Sequence, residues 1–256
     1  MKHPLWIHGL SGKMGQELQT AVSSSDDFVL EGGSALDITP DCTRERTKDG
    51  IRKSTVIVDF SSPKGTEALL AYSELFVGKA ILFCTTGLES STLEKLKKLG
   101  ANNNVMLAPN TSIGVFLFGK ILSAYGQILF QNNFDIEIVE THHRHKVDSP
   151  SGTAKFLRAA VDPDQNLSTR SDYNGVRKKM DIGMHAIRGG GVAGEHSVRF
   201  LSDSEELEIT HRAFNRSLFA TGALALVRIL QKKSRGFYDY GDISPAEMLK
   251  SLPLKE

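Results

Sequence analysis

Thiols are scarce in this 256-residue chain: Cys42 and Cys84 are the two it has. They lie far apart without CxxC spacing, which excludes a disulfide framework and a cysteine zinc site and fits a reducing cytosol. An excess of one charge is also missing. Lys plus Arg total 31 against 30 Asp plus Glu, a net charge of +1, which argues against a nucleic-acid protein held by phosphate neutralisation. Long hydrophobic runs are lacking as well. The opening MKHPLWIHGLSGKMG reaches Gly9 after too few apolar residues for a signal h-region, and no later run reads as a membrane span. No internal repeat or low-complexity tract is visible. What remains is a soluble, cytoplasmic protein without nucleic-acid or membrane partners, long enough for one large domain or two modest ones.

The first hundred residues alternate short apolar or β-branched runs with helical patterns. Strands are predicted at LWIH (5–8), FVLEGG (28–33), TVIVDF (55–60), AILFCT (80–85) and NVMLA (104–108). That rhythm is βαβ, hence an α/β fold with a Rossmann-like, doubly wound parallel sheet. A helix is expected over VFLFGKILSAYGQIL, followed by a strand over FDIEIVETH. The later part has another texture. A turn and helix near 149–160 lead into the polar DPDQNLSTRSDYNG, then into glycine-punctuated short runs that look like antiparallel strands. This predicts a smaller α+β domain with a mixed or antiparallel sheet. The apolar SLFATGALALVRILQKK reads as a helix that covers the first sheet. The expected division is 1–112 for dinucleotide binding, 113–215 for substrate binding and oligomerisation, and 216–256 as a segment returning to the first domain.

GLSGKMG follows the first strand and opens a helix. Gly9, Gly12 and Gly15 are spaced G-x-x-G-x-x-G, with Ser11 at the usual middle-glycine position. Small residues there let backbone N–H groups approach a pyrophosphate at a helix N-terminus. Asp37 lies about twenty residues on, where a carboxylate accepts hydrogen bonds from an adenosine ribose. With Ile38 beside it, Asp37 favours NADH over NADPH, because a ribose phosphate would face a carboxylate without an adjacent cation. Lys13, Arg44 and Arg46 are the residues that would reverse that preference. The loops DFSSPKG (59–65), CTTG (84–87) and APNTS (108–112) stand where strand ends should gather, and their groups suit a nicotinamide and its ribose; each also reads as simple turn punctuation.

The densest chemistry sits in ETHHRHKVDSPSGTA, Glu140 to Ala154, where His142, His143, Arg144, His145 and Lys146 are consecutive. A metal site is one reading, through the H-x-H pair, but no H-E-x-x-H or other familiar ligand spacing accompanies it. An idle solvated surface is a second reading. The third is anion binding: Pro150 fixes the chain, Ser151 or Thr153 starts a helix, and Gly152 lets an anion reach backbone donors. With His143 and Lys146, that turn forms a receptor for a small molecule carrying two anionic groups. Hydride reduction also demands a proton, for which His142 and Lys146 are the candidates. In an extended strand these two share a face roughly 13 Å apart at about 3.3 Å per residue, so joint action requires a bend.

These motifs resemble the dihydrodipicolinate (4-hydroxy-tetrahydrodipicolinate) reductases of diaminopimelate and lysine biosynthesis, nearly end to end. The most specific likeness is ETHHRHKVDSPSGTA to that family's E-x-H-H-x-x-K-x-D-x-P-S-G-T-A segment; GGGVAGEH and LEITHRA are similar to its second-domain strands. The resemblance implies a cytoplasmic NAD(P)H-dependent oxidoreductase, commonly a homotetramer, acting on a cyclic imine dicarboxylate and holding no metal. It implies that His142 and Lys146 handle the proton and that His143, Gly152 and Thr153 contact the substrate carboxylates. The dinucleotide, NADH with NADPH as the alternative, would lie against Gly9, Leu10, Ser11, Gly12, Lys13 and Met14, Asp37, then Cys84, Thr85 and Thr86, and Ala108, Pro109, Asn110 and Thr111. Four positions depart from the family pattern. Cys84 stands where a glycine is common, Thr111 where some members have an aromatic, Pro109 in place of a small residue, and Ile38 where an arginine is frequent. A reductase of another small dicarboxylate, a dinucleotide-sensing protein and a metallohydrolase are the competing functions.

Overall fold

A computed structural model describes residues 1–34 and 41–252, with residues 41–43 described by backbone alone. They divide into two compact units, Met1–Ser112 with Arg216–Glu256, and Ile113–Asn215. The first unit begins as strand and helix in strict alternation: β1 (His3–His8), α1 (Lys13–Ser23), β2 (Phe28–Ser34), α2 (Asp41–Lys53), β3 (Val56–Asp59), α3 (Pro63–Leu70), β4 (Ala80–Phe83), α4 (Ser90–Leu99) and β5 (Asn104–Leu107). Every residue of β3 and β4 is buried. Strands covered on both faces by helices read as unbroken apolar runs, and VIVD and AILF do so. Asp37 and its neighbour Ile38 lie outside the described residues.

The second unit holds α5 (Ile113–Gln131), β6 (Asp135–His142), α6 (Gly152–Val161), β7 (Ser168–Arg170), β8 (Asp181–Arg188), β9 (Glu195–Leu201) and β10 (Glu206–Arg212). Its sheet runs β10-β9-β6-β8-β7. Residues of β6 alternate between buried and half-buried, as expected for a strand with one packed face. Phe118 and Leu122 of α5 and Leu157 of α6 pack on Ile138, Val198 and Phe200 of the sheet. The antiparallel texture expected after residue 180 is half right. β9 pairs antiparallel with β6 and β10, whereas β8 runs parallel to both β6 and β7. Parallel pairing needs a long crossover, which α6 and the following polar segment supply. Within that segment the three residues of β7 are too few to show a period. The apolarity of α5 also corrects the expectation that no run approaches a membrane span: by length and composition it is sufficient to cross one. Here it packs against α6 and β10 as the core helix of its unit.

The chain then returns to the first unit through α7 (Ser217–Leu230), β11 (Gly236–Tyr238) and α8 (Pro245–Ser251). α7 buries Ala223, Leu226 and Val227 and packs against α1 and β4. At its end Arg228 clamps Asp27 with bonds of 2.5 and 2.9 Å, and its hydrogen bonds hold that carboxyl down at about 2 despite partial burial. The completed sheet, β11-β5-β4-β3-β1-β2, is parallel throughout and Rossmann-like. Its order reverses between β1 and β3, the switch point beyond whose carboxyl ends open α/β sheets bind ligands.

The turn from β1 into α1 is packed to the backbone. A Cβ on Gly15 would lie 2.2 Å from the Gly9 carbonyl oxygen and 2.5 Å from that of Leu10. Gly15→Ala should therefore cost about 1–3 kcal/mol of stability. Thermal unfolding of the variant checks this; an unchanged midpoint would contradict the packing argument.

Candidate active site

At the switch point, buried polar groups stitch successive strand ends together. His8, at the end of β1, places Nδ1 2.6 Å from Ser34 Oγ and Nε2 2.8 Å from the Gly65 carbonyl. Asp59, at the end of β3 and fully buried, accepts from Ser61 N–H at 2.9 Å, Ser61 Oγ at 2.5 Å, Thr66 Oγ1 at 2.5 Å and Thr85 Oγ1 at 3.2 Å. One carboxylate thus ties the DFSSPKG loop to the CTTG loop. The glycine turn rests on the same framework, with the N–H groups of Gly9 and Leu10 both donating to Ser34 O. Gly9 has φ +88°, and a Cβ there would stand 2.7 Å from Phe60 O.

These features fit a dinucleotide. Ser11, Gly12 and Lys13 are exposed, Leu10 and Met14 half-buried, and the N-terminus of α1 has no side-chain cap. Its leading amides therefore point from an unobstructed glycine turn, the arrangement that receives a pyrophosphate. Cys84 and Thr85 are buried, and burial together with the nearby Asp59 pushes the Cys84 thiol well up, so it is an inert neutral group. Thr86 is exposed. In the last loop Ala108 is buried with its N–H on Phe83 O, and Thr111 is buried with its hydroxyl donating to Phe219 O at 2.6 Å. Asn110 is half-buried and accepts from the Tyr240 hydroxyl through its backbone carbonyl; Pro109 is exposed. Arg44 and Arg46 are exposed on α2.

In the second unit β6 ends at His142, and the chain bends at once. Lys146 N–H donates to His143 O at 3.1 Å, so the extended spacing between His142 and Lys146 does not persist. Backbone bonds from His143 to Val192 O and from Arg144 to Gly190 O fasten the turn to the glycine loop after β8. Lys146 Nζ is ion-paired with Asp148 Oδ1 at 2.7 Å. His145 is exposed, with its ring 6.2 Å from that of His143. Ser151 supplies the N-cap of α6, accepting from Ala154 N–H at 3.1 Å. Gly152 faces open space, and its amide and that of Thr153 head the helix. Such a mouth favours a carboxylate through both its donors and the helix dipole. Among the described residues no group of three or more His, Cys, Asp or Glu is gathered in a metal-holding arrangement.

The residues that organise this segment come from elsewhere. Glu140 is fully buried and accepts four bonds: from His142 Nδ1 at 2.5 Å, Arg188 Nη1 and Nη2 at 2.8 and 2.7 Å, and Ser151 N–H at 3.1 Å. Burial raises its pKa, but the bonds from Arg188, His142 and Ser151 outweigh that and hold it below the usual carboxylate range. His142 is pushed down from its ordinary value by burial, against the opposing pull of Glu140. His196 stands edge-on to His142 with ring centres 5.0 Å apart, and its Nε2 is 3.0 Å from Ser151 Oγ. Burial, then the neighbouring His142, lowers it to about 3. The sequence reading passed over Arg188 and His196, 48 and 45 residues from their partners. The available signal was an arginine closing a strand before a glycine triplet, and a histidine just after it.

Comparison with known proteins follows the same outline. The family model described as dihydrodipicolinate reductase, N-terminus, matches residues 3–111, and that of the C-terminus matches residues 114–243. The 4-hydroxy-tetrahydrodipicolinate reductase of Polynucleobacter necessarius is 35% identical, covering 93% of this chain and 97% of its own. That of Brachyspira hyodysenteriae is 37% identical over 91% and 95%. Among solved structures, a dipicolinate-bound dihydrodipicolinate reductase from a Paenisporosarcina species shares the fold, with a TM-score of 0.73, 21% identity, and coverage of 95% of this chain and 100% of that one. Two family models that together span nearly the whole chain, and relatives at this identity over nine-tenths of it, place the chain in the dihydrodipicolinate reductase family, NAD(P)H-dependent oxidoreductases of diaminopimelate and lysine biosynthesis.

Proposed function

We propose that the chain reduces the dihydrodipicolinate-type cyclic imine dicarboxylate to tetrahydrodipicolinate, with NADH preferred and NADPH as the alternative. The observation that carries this is the cation-bearing turn at 142–146 followed directly by the glycine-headed α6. One substrate carboxylate sits at the amides of Gly152 and Thr153, and His143 and Lys146 supply side-chain donors for a second. On the first unit, Gly9 to Met14 hold the pyrophosphate and Asp37 the adenosine ribose. The loops at 84–86 and 108–111 flank the nicotinamide. When bound, the reduced nicotinamide supplies hydride to C4 of the conjugated C=C–C=N system.

The charge that reaches the ring nitrogen needs a proton. Lys146 is the donor. His142 is uncharged near neutral pH, with Nδ1 on Glu140, so Nε2 offers a lone pair for relaying protons rather than a stored one. The enzyme acts in the cytoplasm as a homotetramer assembled through the second unit. Support for that assembly is the apolar surface formed by Ile121, Tyr125 and Ile128 of α5 with Leu207 of β10, all exposed.

Absorbance of NADH with the cyclic imine dicarboxylate tests the reaction; no oxidation with that substrate would end this reading. Lys146→Ala and His142→Ala should each lower kcat on the order of 10²-fold while NADH affinity stays within about twofold. Steady-state kinetics and NADH titration measure both, and undiminished turnover in the two variants would remove the proton roles. Catalytic efficiency should favour NADH, and a large NADPH advantage would contradict the reading of Asp37 and Ile38. Light scattering should return four times the 28.0 kDa chain mass, and a monomer would refute the assembly.

A further inference from the structure

Glu140 is sealed from solvent, so it can touch neither substrate nor dinucleotide, yet it meets each part of the catalytic segment. Its Oε2 takes His142 Nδ1 and Arg188 Nη1, and its Oε1 takes Arg188 Nη2 and Ser151 N–H. Arg188 Nη2 donates onward to Asp148 O at 2.7 Å. A single carboxylate–guanidinium pair therefore contacts the imidazole, the turn that carries Lys146, and the cap of α6. We propose that Glu140 is the positioning residue of this site: with Arg188 it holds His142 in the Nδ1–H tautomer, leaves Nε2 as the reactive nitrogen, and fixes that nitrogen relative to the Lys146 turn and the mouth of α6. The proposal rests on the reading of His142 as a proton-handling group.

The tautomer follows from donor arithmetic. Arg188 and the Ser151 amide can only donate, and an ionised carboxylate can only accept. The proton between Glu140 and His142 therefore resides on Nδ1, and the lone pair is on Nε2. Gly194 keeps the approach to that nitrogen narrow but open, since a Cβ there would lie 3.1 Å from Nε2. The groups facing His142 from its surroundings are Glu140 on its own strand, Arg188 of β8, Lys146 with its partner Asp148 on the turn, and His196 of β9. Of these, Glu140 and Asp148 are the anions, and Glu140, hydrogen-bonded directly to Nδ1, is the one that pulls most strongly toward a charged ring.

Glu140→Gln separates charge from shape. A glutamine has one acceptor oxygen and one NH2. Arg188 and Ser151 claim the oxygen, and the NH2 turned toward Nδ1 drives the ring proton to Nε2. Nitrogen-15 NMR of histidine-labelled protein, assigned with His142→Ala, should show Nδ1–H in the wild type and Nε2–H in Glu140→Gln. The titration midpoint of His142 should fall by about one pH unit. In parallel kcat should drop on the order of 10²-fold with its acid-side pH limb displaced to lower pH, while KM for NADH stays within about twofold. An Nε2–H ring in the wild type overturns the proposal without recourse to any variant. A fall in kcat with tautomer, midpoint and pH limb unmoved also overturns it, because that is the signature of general damage. If the NMR results hold but His142→Ala keeps full turnover, the hold on the ring is supported and the proton role assigned above is what fails.

Discussion

The pairing of Glu140 with Arg188 is the interaction on which the second unit's chemistry depends. Burying two ions costs several kcal/mol each, a debt that mutual attraction meets only where geometry is good and the leftover donors and acceptors are used. Here both carboxylate oxygens are filled, and the guanidinium donates onward to Asp148 O and Ile187 O, which leaves its buried Nε without a partner. Removing Arg188 would strand the buried Glu140 carboxylate, at about 3–5 kcal/mol, whereas the half-buried Arg188 would keep access to water. The pair is a common reference: the end of β6, the cap of α6 and the end of β8 are all held at hydrogen-bond length from the Glu140 carboxylate.

The first unit solves a similar problem with hydroxyls and backbone groups as the partners. Asp59 and His8 are buried at adjacent strand ends and bind hydroxyls and carbonyls of the loops on either side. Loops have few packing contacts of their own, so their geometry has to be borrowed from the sheet. Buried polar groups at the carboxyl ends of β1 and β3 transmit it, because an unsatisfied donor or acceptor there would cost more than any slack in the loop could return. The glycine turn inherits that rigidity through Ser34 and Phe60.

Charge is distributed by depth. Cations that can meet an anionic guest, Lys146 and Arg144, are half-buried or exposed, whereas His142, His196 and His211 are driven toward neutrality by burial. Within the cluster at 142–146, burial pushes His142 down from its ordinary value, while Arg144 is exposed. A neutral ring can accept and return a proton.

Much of the fold was legible in order. The strand runs of β1 to β6, the glycine turn and the serine-headed α6 all announce themselves locally, because period, glycine spacing and cap residues act over a few neighbours. Strand direction in the second sheet, the short β7 and β11, and the bend after His142 were not legible. They depend on which distant partner each segment meets. His142, Lys146 and Gly152 were visible as chemistry, since residue type alone carries proton capacity and backbone freedom. Arg188, His196 and the role of Glu140 were decided by tertiary structure: hydrogen bonds across 45 or 48 residues exist only once the chain has folded, and burial, which pushes His142 down from its ordinary value, has no meaning for a linear sequence.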